Sequence, residues 1–420
     1  VVPVEPIYSI ADVSDDAFEL ARRSRTTDKM LIKKRKFQMN RRHFLKMAGL
    51  SSMVMMSPFE VLAAPSKRRV LVLVELKGGN DGLNTVVPFA DSAYYRLRPG
   101  IALKADEVLK LDEKVGLHPS LKGLHASFKK DELAIVQGVG YDDPNRSHFR
   151  SIEIWETASK SDEFLEDGWL ARAMGNKRSG DLLLDGVSVG EQDPGPMRGD
   201  PHILTFSNPE QMTKASKKLL RSTDARSEND ALMHILDTQR EILRASSGIE
   251  EKLAAAPALG VSFPSTRLGK ELEVAARLIA GDVPVMVIRV SHGSFDTHAN
   301  QQGQHARLLA QLDEALVAFK QSLEKHSRWS NTLVMTYSEF GRRASQNASR
   351  GTDHGTAAPH FLMGGKIKGG LHGQAPSLTD LAGGDLKHHV DFRHLYSTAA
   401  TGWLGLKAEE LEAYKPLPVF

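Results

Sequence analysis

Five polar clusters in the 420-residue chain carry residue types that do chemistry. Asn80-Asp81 lies in the run Lys77-Gly78-Gly79-Asn80-Asp81-Gly82. A carboxylate there can hold a hard cation, with glycines letting the backbone approach closely; the alternative is a turn aspartate bonded to local amides. Asn145-Arg146-Ser147-His148-Phe149-Arg150 sets a hydroxyl beside a histidine and two arginines. Ser147 there is a candidate nucleophile, with Arg146 and Arg150 to bind the charged oxygens of a phosphate or sulfate. The alternative is that Ser147 caps a helix and the arginines bind carboxylates. In Phe295-Asp296-Thr297-His298 the Asp and His are two apart, so on an extended segment they point to one side. They match mixed oxygen and nitrogen ligation of zinc or a similar ion. Ser338-Glu339-Phe340-Gly341-Arg342-Arg343 offers Glu339 as a ligand or base, and Arg342 as its partner or an anion grip. An ordinary ion pair is the alternative. Finally, Gly351-Thr352-Asp353-His354-Gly355-Thr356 sets Asp353 against His354, where one can bind a metal while the other orients it.

These clusters need elements to position them. Arg69–Leu76 is an almost continuous apolar run, as for a strand buried on both faces of a mostly parallel sheet. Leu133–Val139, Val283–Val290 and Thr332–Tyr337 read likewise, Val187–Val189 as a short strand, and Phe361–Met363 as the last one. Apolar residues recur at helical spacing over Leu268–Ile279 and over His305–Leu323. Residues 209–256 are charged and amphipathic and read as two helices, a lid or a helical insertion. Strands alternating with helices give a doubly wound α/β domain. In such sheets ligands bind beyond the carboxyl ends of the strands, which is where the clusters lie.

Composition narrows the setting. The 55 basic and 52 acidic residues nearly balance, which argues against a nucleic-acid partner. The absence of cysteine suits an oxidising compartment without disulfide chemistry. Residues 39–64 have the layout of an export signal: Arg41-Arg42, then an apolar run Met47–Met56, then Ala63-Ala64 for cleavage. That run is too short for a permanent membrane span. We therefore expect a disordered extension over 1–38, a twin-arginine signal over 39–64, and an α/β domain over 65–420. The folded protein would pass through the twin-arginine machinery to the periplasm or the exterior, a route that raises the expectation of a bound metal.

The segments LKGGNDGLNTVVP, NRSHFRSIEIWETAS, FDTHANQ, HARLLAQLDEALVAF, VMTYSEFGRR, GTDHGTAAPHFLMGG and KGGLHG resemble the bacterial domain-of-unknown-function family numbered 1501, from around Arg69 to near the C-terminus. That resemblance implies an alkaline phosphatase-like, sulfatase-like fold: a mixed, mostly parallel sheet sandwiched by helices, with one or two divalent metals at the strand ends. Asn80-Asp81 resembles the acidic pair of that superfamily. Ser147 stands where its nucleophile would be sought, and Asp296 and His298 resemble its Asp-and-His ligands at narrower spacing. Two correspondences compete beyond that. Asp353-His354 matches an adjacent Asp-His ligand pair, or Glu339-Phe340 occupies that place and His354 is a later single histidine. In the second case Phe340 replaces a ligand. Without cysteine, a cysteine-derived formylglycine is excluded.

The leading expectation is a metal-dependent hydrolase of phosphate or sulfate esters. Asp81, Asp296, His298, Asp353 and His354 are its candidate ligands for a divalent metal, zinc first, with calcium, magnesium and manganese left open. Ser147 would attack, Arg146 or Arg150 would stabilise charge, and Glu339 is a further catalytic candidate. The substrate would be a small anionic ester or glycan. The competing expectation is a non-catalytic metal- or glycan-binding envelope protein of the same fold.

Overall fold

The computed structural model describes residues 68–175, 182–200, 202–210, 212–214 and 229–420. The expected extension (1–38) and export signal (39–64) lie outside the described residues. The centre is a nine-stranded sheet. Its strands are β1 (Val70–Leu76), β2 (Leu133–Gly140), β3 (Leu184–Val189), β4 (Ile203–Phe206), β5 (Val285–His292), β6 (Thr332–Tyr337), β7 (Ala358–Met363), β8 (Gly370–Gly373) and β9 (Val390–Asp391). They lie in the order β8-β2-β7-β6-β1-β5-β3-β4, with β9 also paired to β2. β1 pairs in parallel with β5 and β6, and β3 in parallel with β4 and β5. β7 alone runs against its neighbours β2 and β6. The mixed, mostly parallel sheet expected from the sequence is therefore present.

Helices cover both faces. Among the described residues they include α1 (Lys122–Phe128), α2 (His148–Thr157), α3 (Trp169–Gly175), α4 (Asp230–Ala254), α5 (Arg267–Ala280) and α6 (Gln301–Lys325), with further short helices beside them. Val70, Val72, Val74 and Leu76 of β1 pack with Leu272 of α5 and Leu309, Leu312 and Phe319 of α6. Leu71 and Leu73 point the other way, to Trp155 of α2 and Trp169 of α3. On that face the Trp169 and Tyr396 rings stack at 4.3 Å. Burial of both faces is why β1 is apolar throughout rather than alternating. None of the described helices is long and apolar enough to cross a membrane.

Two strand expectations change. Phe361–Met363 belongs to the longer β7, and β8 and β9 follow it. Those strands are short and glycine-rich or polar, so no apolar run marks them. The short strand at 187–189 extends back to Leu184. Among its described residues, 209–256 holds helical residues at 209–210 and 212–214 and the long helix α4, opened by the Asn229 side chain accepting from the amides of Ala231 and Leu232. Ala245 and Ile249 of α4 join the core, so this helix is docked in the layer.

The reversed direction of β7 shapes the site. The carboxyl ends of β1, β2, β5 and β6 share one edge of the sheet, and the start of β7 meets the same edge, Ala358 beside Val139. Residues just before β7 thus join the loops that follow the other strands.

Candidate metal centre

Glycine and arginine bring these loops together. Gly78 has φ +108, and an added Cβ would lie 2.5 Å from the Asp296 amide nitrogen. Glycine alone lets the loop after β1 lie against the loop after β5. Arg342 is 1% exposed. Its Nε donates to the Gly79 carbonyl at 2.7 Å and its Nη1 to that of Thr352 at 2.8 Å. Its Nη2 donates to the carbonyls of Gly78 and Phe295 and, at 2.7 Å, to Asp296 Oδ1. One guanidinium fork thereby ties the loops after β1 and β5 to the segment before β7.

Three imidazoles and one carboxylate converge there. His148 opens α2, and its Nδ1 lies 2.9 Å from Glu339 Oε1. Glu339 is 2% exposed, and the same oxygen accepts from the Gly78 amide at 2.7 Å. His354 Nδ1 lies 2.8 Å from the Arg146 carbonyl, and His298 Nδ1 lies 3.3 Å from Asp353 Oδ1. A carbonyl or carboxylate can only accept, so each Nδ1 carries the hydrogen and each neutral ring keeps its lone pair on Nε2. The Nε2 atoms face one another: those of His298 and His354 are 3.0 Å apart. Both approach Asp296 Oδ1, at 3.0 and 3.1 Å, while His148 Nε2 lies 3.5 Å from Asp296 Oδ2. Facing lone pairs repel unless a proton or a metal cation lies between them. The ligand atoms of His148, Asp296 and His354 all lie within 4.8 Å of one another.

The residues fit a divalent ion. Nitrogen-rich donors with one carboxylate suit a borderline-soft metal, and the three Nδ1 partners are the outer contacts that orient metal-binding histidines. The side chains of Asp296 and His298 are 44% and 43% exposed, so the cluster is open to solvent. Burial would raise the Asp296 carboxyl, but the hydrogen bond and charge of Arg342, together with the His354 and His298 rings in their protonated form, outweigh it and bring it to about 2. His148 is raised, mainly by its hydrogen bond to Glu339, against some desolvation. Phe340 packs its ring 4.4 Å from that of His354 and 4.9 Å from that of His148. It forms a wall where the second correspondence of the sequence places a ligand histidine.

The remaining expected site residues fall into distinct places. Asp353 stands behind His298, in the orienting position, and His354 converges. Glu339 holds His148. Ser147 is the exposed residue before α2; its side chain makes no capping bond, and it lies between the carbonyl that holds His354 and the ring of His148. Arg146 Nη1 reaches Asp385 at 2.8 Å. Arg150 is occupied away from the cluster: it donates to the carbonyls of Lys160, Ser161 and Glu163 and lies 3.9 Å over the Phe164 ring. Asp81 is not brought to the cluster either. It is fully buried and pairs with Arg98 at 2.6 Å, with Gln301 donating to the same oxygen. Burial alone would raise its pKa, yet Arg98 carries it below the ordinary value. His148 and the loop-tying role of Arg342 escaped the sequence reading, because their partners lie on other loops.

The sequence pattern of one family, described as "Protein of unknown function (DUF1501)", matches residues 67–413. The chain belongs to the DUF1501 family. No curated protein matches it significantly. Among solved structures, this DUF1501 chain is similar to a protein in the alkaline phosphatase superfamily from Vibrio parahaemolyticus, with 13% identity over 83% of this chain and 70% of that one, TM-score 0.38. It is similar to the zinc complex of the C-terminal periplasmic domain of EcEptC from Escherichia coli, with 12% identity over 71% and 73%, TM-score 0.33. It is also similar to a phosphonate monoester hydrolase from Silicibacter pomeroyi, with 11% identity over 83% and 76%, TM-score 0.36.

Proposed function

We propose that this DUF1501 protein is a metal-dependent hydrolase of small phosphate or sulfate esters, acting in the periplasm or outside the cell after twin-arginine export. His148, Asp296, His298 and His354 would hold the metal, which we assign as zinc from the nitrogen-rich donors. The observation that carries the reading is the 3.0 Å approach of the His298 and His354 Nε2 atoms, with each Nδ1 already held by an acceptor. A bound metal would polarise the ester and lower the pKa of the attacking oxygen.

The chain's own groups have separate tasks. Glu339, Asp353 and the Arg146 carbonyl keep the hydrogens of His148, His298 and His354 on Nδ1. Ser147, exposed and not engaged in capping, is the proposed nucleophile. The Arg146 guanidinium, 44% exposed, would leave Asp385 to bind the ester's charged oxygens.

Elemental analysis of the natively exported, mature protein tests the centre. We expect one or two equivalents of a divalent metal, lost in Asp296→Ala and in His354→Ala. Ser147→Ala should abolish turnover across an ester panel while retaining metal; retained turnover removes Ser147 as nucleophile. Phe340, packed where a ligand histidine is expected, favours a second reading: a non-catalytic metal- or anionic-glycan-binding envelope protein. A folded protein without metal and without turnover on any ester would select that binding reading.

A further inference from the structure

Behind the loop after β1 lies a cavity of about 560 Å³, lined in part by Asn84, His118 and His305. That volume suits a small organic ligand. His118 is 5% and His305 1% exposed, with ring centroids 5.9 Å apart and the planes nearly perpendicular.

The hydrogen-bond pattern sets what each ring offers. His118 Nδ1 accepts from the Ser120 amide at 3.0 Å, so its hydrogen is on Nε2. Asn80 Nδ2 donates to Thr85 Oγ1 at 3.0 Å, whose own hydrogen goes to the Asp81 carbonyl at 2.7 Å. Asn80 Oδ1 therefore accepts from His305 Nε2 at 3.0 Å, leaving a lone pair on His305 Nδ1. Among the described residues, neither His118 Nε2 nor His305 Nδ1 has a hydrogen-bond partner. His118 and His305, more than nine-tenths buried and keeping one unpartnered donor and one unpartnered acceptor between them, both line this cavity.

Charge narrows the ligand class. Burial pushes His118 down to about 4 and His305 down to about 3, so both rings are neutral near pH 7. Arg98, the buried cation of this region, is taken up by Asp81, Asn84 and the carbonyls of Ala344 and Arg343. The Glu107 carboxylate on the cavity lining repels anions. Among the described residues, neither histidine belongs to a group of three or more side chains close enough to share an ion. Leu103, Pro119 and Ala306 supply apolar wall. A hydroxyl can accept from one ring and donate to the other.

We propose that this cavity is a second ligand site, separate from the metal centre, for a neutral hydroxyl-bearing molecule of about the size of a sugar ring, with one hydroxyl bridging His118 Nε2 and His305 Nδ1. The proposal stands whether or not the chain hydrolyses esters.

The test uses mature, full-length protein labelled with ¹⁵N-histidine and titrated separately with glucose, myo-inositol, glycerol and inorganic phosphate. We expect saturable shifts of the His118 and His305 ring nitrogens with at least one of the three neutral compounds, and none with phosphate. Gly303 is on the cavity lining and an added Cβ there faces open space, so Gly303→Leu is the variant chosen to occupy the cavity mouth. That variant should weaken binding at least tenfold while its unfolding midpoint is not lowered. His118→Phe, which keeps a ring but removes the donor, should weaken binding comparably; if it does not fold, Gly303→Leu decides. Absence of saturable shifts with all three neutral compounds, unchanged binding in Gly303→Leu, or stronger binding of phosphate at these rings would overturn the proposal.

Discussion

Asp81 and Asp296 follow the adjacent parallel strands β1 and β5, and their fates differ. Asp81 is sealed from solvent and held by Arg98, whose Nη1 donates to both Asp81 and Asn84 while its Nε and Nη2 donate to two carbonyls. Asp296 also takes one arginine hydrogen bond, but its side chain is 44% exposed and three imidazoles face it. A carboxylate after a strand becomes a candidate ligand only if other lone pairs converge on it in an open place. One that shares full burial with a cation becomes a structural tie.

The contrast can be broken most directly at Asp81. Asp81→Ala leaves Arg98 buried without its counter-charge, so we expect a loss of about 3–5 kcal/mol in urea unfolding, with metal content unchanged in whatever folds. Asp296→Ala should lose metal at a smaller cost to the metal-free fold, because its carboxylate is half exposed and Arg342 keeps four carbonyl acceptors. Loss of metal in Asp81→Ala at unchanged stability would erase the distinction.

Glu156 sharpens it. This α2 residue is 2% exposed, but it shares Arg289 with Glu75 and lies near Asp193. Desolvation first, and repulsion by Asp193 next, outweigh the arginines and raise it to about 8. With the folded pKa above the unfolded one, its contribution to stability is full below about 4.5 and is lost as pH rises through about 8. Relative to Glu156→Gln, the native protein should lose roughly 2–4 kcal/mol between these limits, read from urea midpoints across pH. Parallel pH profiles for the two proteins would refute the assignment.

Smaller effects are expected nearer the centre. Arg342→Lys keeps the charge but removes the fork that reaches four carbonyls and Asp296, and should cost about 2 kcal/mol, seen as a lowered unfolding midpoint. Glu339→Gln should leave the fold intact and weaken metal affinity about 10–100-fold, measured by competition with a chelator. Unchanged affinity would mean that Glu339 does not orient His148.

Much of the frame was legible in the residues. β6 lies where Thr332–Tyr337 places it, and α5 adds little to Leu268–Ile279 beyond a cap in which Thr266 accepts from the Gly269 amide. Both patterns are local, since burial on one or both faces is written residue by residue. β8 and β9 were not legible, because short edge strands need no apolar run. Within the candidate site, Asp296, His298 and His354 could be picked out by residue type and by position at a strand end. His148 could not, since what distinguishes it is a carboxylate 191 residues away.

The sequence by itself determined the alternation of strands and helices, the doubly buried β1, and the sheet edge on which polar loops would gather. Those follow from hydrophobic periodicity and from the glycines that break it. Only the tertiary structure decided which polar groups meet. It reversed β7, so that His354 arrives before a strand rather than after one, and it placed Arg98 against Asp81 and Glu339 against His148. A lone pair is free to bind only when no buried donor has claimed it, and that depends on partners brought together by packing rather than by neighbours in the chain.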